Sequence, residues 1–572
     1  MFKVTVAYLV VAWILIQIAD VLAPQLNLPD WAPRLVTFVL LLGFPLALVL
    51  AWVFDVTPEG IKTESGSKKD KALFMIAGML VAVAIAWFVW DRPGSNTTTG
   101  ERSIAVLPFV NMSGDPENDY FSDGISEELL NVLAHMPELQ VVSRTSSFAF
   151  KGQQKELPEI AEELNVTLVL EGSVRRQADR VRIMAQLIDA ASGFHLWSET
   201  YDRDLKDIFA TQDEIAEAIA GALKLELRSP HRADRSRRET NPDIYDKYLR
   251  ARALFPIRGE VALRQAAAML EEVIAADPQF AEAYAGLGLI YAVLPFYTTD
   301  ARDETHLKAR DAAEHALALD PGLAEAYGAL GDVAIHALRF DLAEALLKRS
   351  IAESPSLAAG YYWLAEKHLF VGELDAALQQ LTFAKQLDPR SRTGGYLRAM
   401  TYLALEKPDE ARANCESVLD SAPTHEYCRA VLLLIALGTR DYPSARGLLI
   451  NNPNIQDDDA RRLAHAIADA LEGKGDRRSL AHQLSEMPYR AVFDPAHPVT
   501  VHDAVLPALI LALDEPELAI ERFVLNAKNE PTDVLDVIWD PQLDPIRCDG
   551  SFQETVTQLN IVDQRAARIC KP

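Results

Sequence analysis

A proline recurs at Pro321, Pro355, Pro389 and Pro423, each 34 residues after the last. Proline ends a helix and pushes the residue before it into extended backbone. A strict proline period therefore describes a chain that turns the same corner repeatedly. Pro278 stands 43 residues before Pro321, which is one period plus nine residues, an insertion that falls within "PFYTTDARDETH" (295–306). Between the prolines, small and large apolar residues return at fixed points. The unit beginning at Ala324 has Tyr327, Leu330, Gly331, Ala343 and Leu347; the unit beginning at Ala358 has Tyr361, Leu364, Ala365, Ala377, Leu381 and Ala384. Small residues let paired helices approach, and stacked pairs bury a core that no single pair could bury alone.

A two-helix unit of this period resembles the tetratricopeptide repeat. The resemblance covers residues 243–440 and fades into degenerate helical repeats and a C-terminal cap over 441–572, with Arg398 standing where a Leu is usual. It implies a concave groove that binds a peptide or a protein surface. One stripe of each first helix lines that groove, and here it offers Asp332, Tyr362, Glu366 and Tyr396 as the expected binding residues. The stripe is acidic and aromatic, without the Lys and Asn that such repeats use to clamp a carboxylate. The expected ligand is a basic or apolar protein segment, set against a groove that is merely solvated.

The first 92 residues are of different composition. Residues 4–22, 35–54 and 72–90 are apolar runs near the roughly 20 residues a membrane-crossing helix needs, so a membrane anchor of three transmembrane helices is expected over 1–92. Lys62, Lys68, Lys69 and Lys71 lie between the second and third runs, and only Arg34 lies between the first two. By the positive-inside rule this orientation leaves everything after Trp90 across the membrane. A bacterial inner-membrane, multi-pass protein with periplasmic domains is the expectation.

After a linker (93–101), residues 102–225 read as a compact α/β domain. Ser103–Phe109 is a buried strand, Phe121–Ala134 a helix, and "TLVLEGSVRR" with "RVRIMAQLIDA" a hairpin around Gln177-Ala178-Asp179. The loop "NMSGDPENDYFSDG" (111–124) has one glycine before the helix turn and four carboxylates. A phosphate cradle wants several glycines and a Lys, and a calcium loop wants alternating ligands with a terminal Glu. The loop reads as a corner, with Ser122 or Asp123 capping the helix; an ad hoc divalent site at Asp115, Asp119 and Asp123 is the alternative. Ser143, Ser146, His195 and Asp202 lack the nucleophile elbow that would make them a hydrolase triad.

"IAVLPFVNMSGDPENDYFSDGISEELLNVLA", "LQVVSRTSSFAFKG", "LNVTLVLEGSVRR" and "FHLWSETYDR" closely resemble the TolB-like N-terminal domain that precedes tetratricopeptide repeats in bacterial membrane proteins. The resemblance implies an envelope interaction protein. Relatives often carry a cyclase or winged-helix domain before the first span, where this chain has Met1, Phe2 and Lys3.

A basic linker (226–242) joins the α/β domain to the repeats. The formal net charge of -26 argues against nucleic acid as a partner. Cys415, Cys428, Cys548 and Cys570 allow three pairings. Helices adjacent in a solenoid favour 415–428 and 548–570, against Cys415 being a small buried packing residue. No catalytic residue, metal or cofactor is expected. The function expected is a non-enzymatic, membrane-anchored periplasmic scaffold that binds protein partners through the groove and the TolB-like domain. The alternative is the sensing and transmitting part of a signalling system associated with a cyclase or a winged-helix regulator.

Overall fold

The computed structural model describes residues 54–57, 60–63, 102–225, 241–298, 302–455, 458–487 and 503–570. The chain forms two units, Met1–Gly100 and Glu101–Pro572. In the first, strand β1 (Phe54–Thr57) pairs antiparallel with β2 (Gly60–Thr63), placing Asp55 opposite Lys62 and Val56 opposite Ile61.

This corrects the expectation of transmembrane helices. Phe54, the expected end of the second span, is extended and paired across the hairpin, where β-branched Val56 and Thr57 favour strand over helix. The rest of 4–22, 35–54 and 72–90 lies outside the described residues. No described helix is long and apolar enough to cross a membrane. The longest of them, Arg302–Leu319, carries Arg302, Asp303, Glu304, Lys308, Arg310, Asp311 and Glu314 along its length. The fold class supported is a helical solenoid with a small sheet domain. The membrane-embedded, periplasmic placement has no support.

The second unit opens with a mixed sheet in the order β5-β3-β6-β7-β8, with β4 also pairing β6. Strand β3 (Arg102–Val106) runs parallel to β5 (Leu139–Val141) and β6 (Leu168–Gln177). Parallel neighbours need crossovers. Helix α1 (Asp119–Ala134) joins β4 (Val110–Asn111) to β5, and α2 (Arg144–Phe148) and α3 (Leu157–Leu164) join β5 to β6. Both faces of β3 are covered. Ile104 and Val106 pack with Phe121, Ile125 and Leu129 of α1, while Ala105 packs with Ile160 and Leu164 of α3. This is why the strand reads as an unbroken apolar run.

The two-residue turn Ala178–Asp179, with Ala178 at positive φ, brings Gln177 opposite Arg180. From there β7 (Arg180–Asp189) pairs with β8 (His195–Asp204). In β7, Val181, Ile183, Ala185 and Leu187 are buried and alternate with exposed Arg180, Arg182 and Met184, so this part of the sheet is covered on one face only. Helix α4 (Ile208–Leu223) lies on the covered face, and its Ile215 and Ile219 join the same apolar cluster.

Helical pairs follow: α5 (Pro242–Leu254) with α6 (Glu260–Ala276), α7 (Ala281–Val293) with α8 (Arg302–Leu319), and α9 (Ala324–His336) with α10 (Phe340–Glu353). Next come α11 (Ala358–Phe370) with α12 (Leu374–Leu387), α13 (Arg392–Ala404) with α14 (Pro408–Ser421), and α15 (Glu426–Gly438) with α16 (Tyr442–Ile450). Two backbone devices repeat. The residue before Pro278, Pro355, Pro389 and Pro423 is extended, with φ/ψ of -136/88 at Asp277, -137/89 at Ser354, -139/71 at Asp388 and -144/77 at Ala422. The turn inside each pair places one residue at positive φ: Leu338, Gly372, Glu406 and Arg440, again at the 34-residue interval. These residues make the solenoid tetratricopeptide-like in its geometry.

Helices α17 (Asp458–Leu471) and α18 (Arg477–Ser485) extend the stack. The chain then returns through α19 (Leu506–Ala512), α20 (Pro516–Asn529), α21 (Pro531–Val537), α22 (Asp544–Arg547), α23 (Gly550–Gln558) and α24 (Gln564–Ile569).

The sheet docks on the solenoid corners. Ser143 N donates to Leu387 O at 2.7 Å, Ser146 Oγ donates to Asp388 Oδ1 at 2.6 Å, and Arg390 N donates to Ser146 Oγ at 3.0 Å. One repeat earlier, Ser356 Oγ donates to Leu139 O and accepts from Val141 N. Within the pairs, contact is close: a Cβ on Gly331 would lie 2.5 Å from Cδ2 of Leu347, which is fully buried. Gly331→Val should therefore lower the stability of the chain by about 1–3 kcal/mol. Urea denaturation followed by helical circular dichroism would measure it, and an unchanged midpoint would contradict this helix contact.

Candidate protein-binding groove

Inside the solenoid the first helices α9, α11, α13 and α15 face a common surface, and the returning chain lies on it. Helix α21 packs on α11 and α13, and α19 packs on α15. The insertion that breaks the 34-residue period supplies one end of this surface. Within it Arg302 begins α8, and its Nε donates to Glu530 Oε2 at 2.8 Å. Nδ1 of His336 lies 3.2 Å from Arg302 Nη1 and 3.0 Å from Thr532 Oγ1. The His306 ring is 5.4 Å from that of His336, and Phe296 stands edge-on to His336 at 5.2 Å.

Further along, Tyr396, Met400, Tyr427, Val431 and Leu434 surround a small apolar hollow against Ala504, Val505 and Val537 of the returning chain. Trp539 Nε1 donates to Phe370 O at 3.2 Å, and the Trp539 ring lies against Gly372, where a Cβ would come within 2.6 Å of it. Gly372, at φ +78, takes the place that Leu338, Glu406 and Arg440 take in the other pairs, and the Trp539 ring is what requires glycine there. Gln542 Nε2 donates to Leu434 O.

Burial governs the charges here. Asp332, 1% exposed, is pushed up to about 7 by loss of solvent. Partly buried Glu366 is raised well above the usual carboxylate range by burial, then by Asp332 and Asp536. His306 is held down to about 4 by burial and then by Arg302, and His336 is lowered in the same way, with His306 adding to it. Burial, and then Asp536, raises Tyr396. Both histidines are thus neutral near pH 7. Asp332 Oδ2, His306 Nε2 and His336 Nε2 are buried without a hydrogen-bond partner, at about 1–3 kcal/mol for each such group.

The four expected groove residues are therefore not presented together to an open channel. Asp332 sits beneath the surface. Tyr362, 8% exposed, packs against Gly394 beside Asp388 at the sheet junction. Its ring packs toward the next helix pair rather than toward the returning chain. Glu366 and Tyr396 do face inward, under α21. Arg302, His306, His336 and the occupant residues Glu530, Thr532 and Trp539 were not expected. The interruption at 295–306 was their signal: an insertion into a strict period has to project somewhere.

The other expected features also find places. Cys548 and Cys570 are joined in a disulfide. Cys415 and Cys428 are free, fully buried thiols hydrogen-bonded to each other, so the expected 415–428 bond is not formed. They serve as small packing residues where α14 meets α15. That hydrogen bond, with burial, raises Cys415, and with His425 it lowers Cys428.

The 111–119 loop closes on itself. Asn111 Nδ2 donates to Asp115 O and Asp119 Oδ1, both at 2.8 Å, and Asp115 Oδ1 accepts from Glu117 N at 3.0 Å. The helix starts at Asp119, which leaves Ser122 and Asp123 inside it rather than at its cap, and Asp123 pairs with Lys151 at 2.6 Å. Ser146 is spent on Asp388, Asp202 on Arg180 and Arg182, and His195 is exposed. Among the described residues, Glu344, His368 and Glu373 bring metal-ligating atoms together. Lys367 Nζ bonds both carboxylates there, so an ammonium already takes the place of a cation.

No family model matches the chain. "Putative adenylate cyclase 3" of Rhizobium meliloti (strain 1021) is 47% identical over 189 residues, 33% of this chain, and the match spans 32% of the length of that relative. Among solved structures, YrrB, a TPR protein with an unusual peptide-binding site, is 24% identical over 31% of this chain and 86% of its own, with a TM-score of 0.23. A human IFIT1 dimer with m7Gppp-AAAA is 15% identical over 63% of this chain and 78% of its own, at 0.35. The TPR domain of P58(IPK) is 11% identical over 57% of this chain and 99% of its own, at 0.19. Likeness at these scores carries no conclusion about function.

The raised Asp332 makes a pH prediction. A carboxyl raised from 3.8 to about 7 contributes stability that is complete below pH 3.8 and is lost as pH rises through 7. His306, lowered from 6.5 to about 4, contributes stability that is present above 6.5 and lost as pH falls through 4. Asp332→Asn removes only the first effect. The variant should match the natural chain near pH 4 and exceed it by up to ~4 kcal/mol at pH 8. Urea midpoints across that range would check this, and a constant difference would contradict it.

Proposed function

We propose that the chain is a protein-binding scaffold whose groove recognises a short helical segment. The reading is carried by the way the groove holds residues 530–543. It meets a helix and the Trp that follows it with side-chain-specific contacts, Arg302 to Glu530 and Gly372 to Trp539, beside the apolar packing of Val537. The sheet domain, TolB-like in its wording, supplies a second surface on the part of β7 and β8 that no helix covers. The carboxyl-rich inner face and the net charge of -26 both disfavour a phosphate-bearing partner.

A charge exchange tests recognition. Arg302→Glu alone and Glu530→Arg alone should each speed hydrogen exchange across 530–543, and the double exchange should restore protection. Deprotection that the double variant fails to reverse would mean the segment is held by apolar packing alone.

A second reading is favoured by the relative named as an adenylate cyclase. The chain would then be a non-catalytic part of a cyclase-linked signalling system, with nucleotide chemistry supplied by another domain. The full chain incubated with ATP and magnesium should form no cyclic AMP above background. Measurable cyclic AMP would overturn the non-catalytic part of both readings.

A further inference from the structure

The occupant of the groove is part of the same chain, and its fit is uneven. At one end Trp539 and Val537 are fully buried against α11 and α13. At the other, Glu530 and Thr532 reach Arg302 and His336, yet leave Asp332 Oδ2, His306 Nε2 and His336 Nε2 without hydrogen bonds, His336 Nε2 lying 3.8 Å from Asp332 Oδ1, although all three side chains are more than nine-tenths buried. A segment that had only to complete the core would not leave three polar atoms open at the point where it makes its charged contact.

The module that carries the segment is also held together by contacts of its own. Arg547 pairs with Asp563 and Asp544, Arg565 pairs with Asp544, Phe523 stacks on Phe552 at 4.3 Å, and Cys548 is bonded to Cys570. Its polar ties to the inner face of the solenoid run through Glu530, Thr532, Asp536, Trp539 and Gln542, and through Arg565 to Glu406.

We propose, resting on the scaffold reading above, that residues 530–543 are an internal stand-in for a partner's segment. A partner protein enters by displacing them with a segment of the same chemistry. That segment is an acidic short helix whose carboxylate meets Arg302, followed about two to three turns later by a tryptophan or an equally large aromatic that fills the hollow over Gly372. Of the expected basic or apolar ligand, the proposal keeps the apolar part and replaces the basic part with an acidic one. Arg302 is the cation of this inner face, while Asp332 and Glu366 lie beneath or beside the occupant without an ionic partner among its contacts.

The test uses the full chain and a fluorescent synthetic peptide of residues 528–544. Fluorescence anisotropy should show the peptide binding a Trp539→Ala, Glu530→Arg chain at least about tenfold more tightly than the natural chain, because the variant's own segment no longer holds the groove. The same peptide with Trp539→Ala should lose that gain. If the double variant fails to keep its helicity, an Arg302→Glu chain with a Glu530→Arg peptide asks the same question, and this peptide should bind it in preference to the natural chain. Equal binding to open and natural chains, or binding to neither, would overturn the exchange. So would dimerisation of the opened chain by size exclusion, since a second copy would then be the occupant. If the charge exchange between Arg302 and Glu530 restores protection while the peptide fails, the scaffold reading stands and only displacement is lost.

Discussion

Everything in the helical part depends on an extended residue held before a proline. At Asp277, Ser354, Asp388 and Ala422 the pre-proline backbone leaves the helix at nearly the same angles, so each second helix hands the chain to the next pair in the same direction. A left-handed residue within each pair, at Leu338, Gly372, Glu406 and Arg440, completes the repeat. With both corners fixed, the rise and rotation per pair are fixed, and a curved stack with an inner face follows.

The corners do a second job. Ser354, Ser356, Asp388 and Arg390 point their polar groups outward at a regular spacing, and the sheet domain hydrogen-bonds to two successive corners through Ala134, Leu139, Val141, Ser143 and Ser146. Arg252 adds a buried link, pairing with Glu127 of α1 and Glu325 of α9 at 2.7 and 2.9 Å. One apolar cluster runs from Ile104 in the sheet to Phe280 in the helices. The sheet domain is therefore fastened along the side of the solenoid, which leaves the inner face for other contacts.

That inner face could not stay bare. Met400, Val431 and Leu434 are apolar, and Tyr396 and Tyr427 are aromatic, so exposing them together would make a patch of the kind that marks an interaction site. Covering them draws buried carboxyl groups along. Asp332 and Glu366 lose water in this interior, and burial raises both above the usual carboxylate range. The acidity that the whole sequence advertises is thus muted in the groove, where the Arg302–Glu530 pair stands beside carboxyl groups that burial biases toward the neutral form.

Period, helix pairing, the α/β character of 102–225 and the hairpin at Ala178–Asp179 were legible in the sequence, because each is written in residues that act on neighbours within one turn or one strand. Proline acts on the residue before it, and β-strand alternation on the residue two away. The apolar runs at 4–22, 35–54 and 72–90 matched the length of a membrane span, but length and apolarity carry no information on backbone pairing, and Phe54 is in a strand. The site was legible only in part. Glu366 and Tyr396 follow from helical spacing, while the placing of Tyr362 depends on its packing against Gly394 of the next pair, and the bonding of Cys548 to Cys570 depends on how the last helices fold back. Arg302 meeting Glu530 and Trp539 meeting Gly372 join residues more than 160 positions apart. No local pattern encodes such a meeting: by itself the sequence determined that there is a groove, and only the return of the chain across it decided what the groove holds.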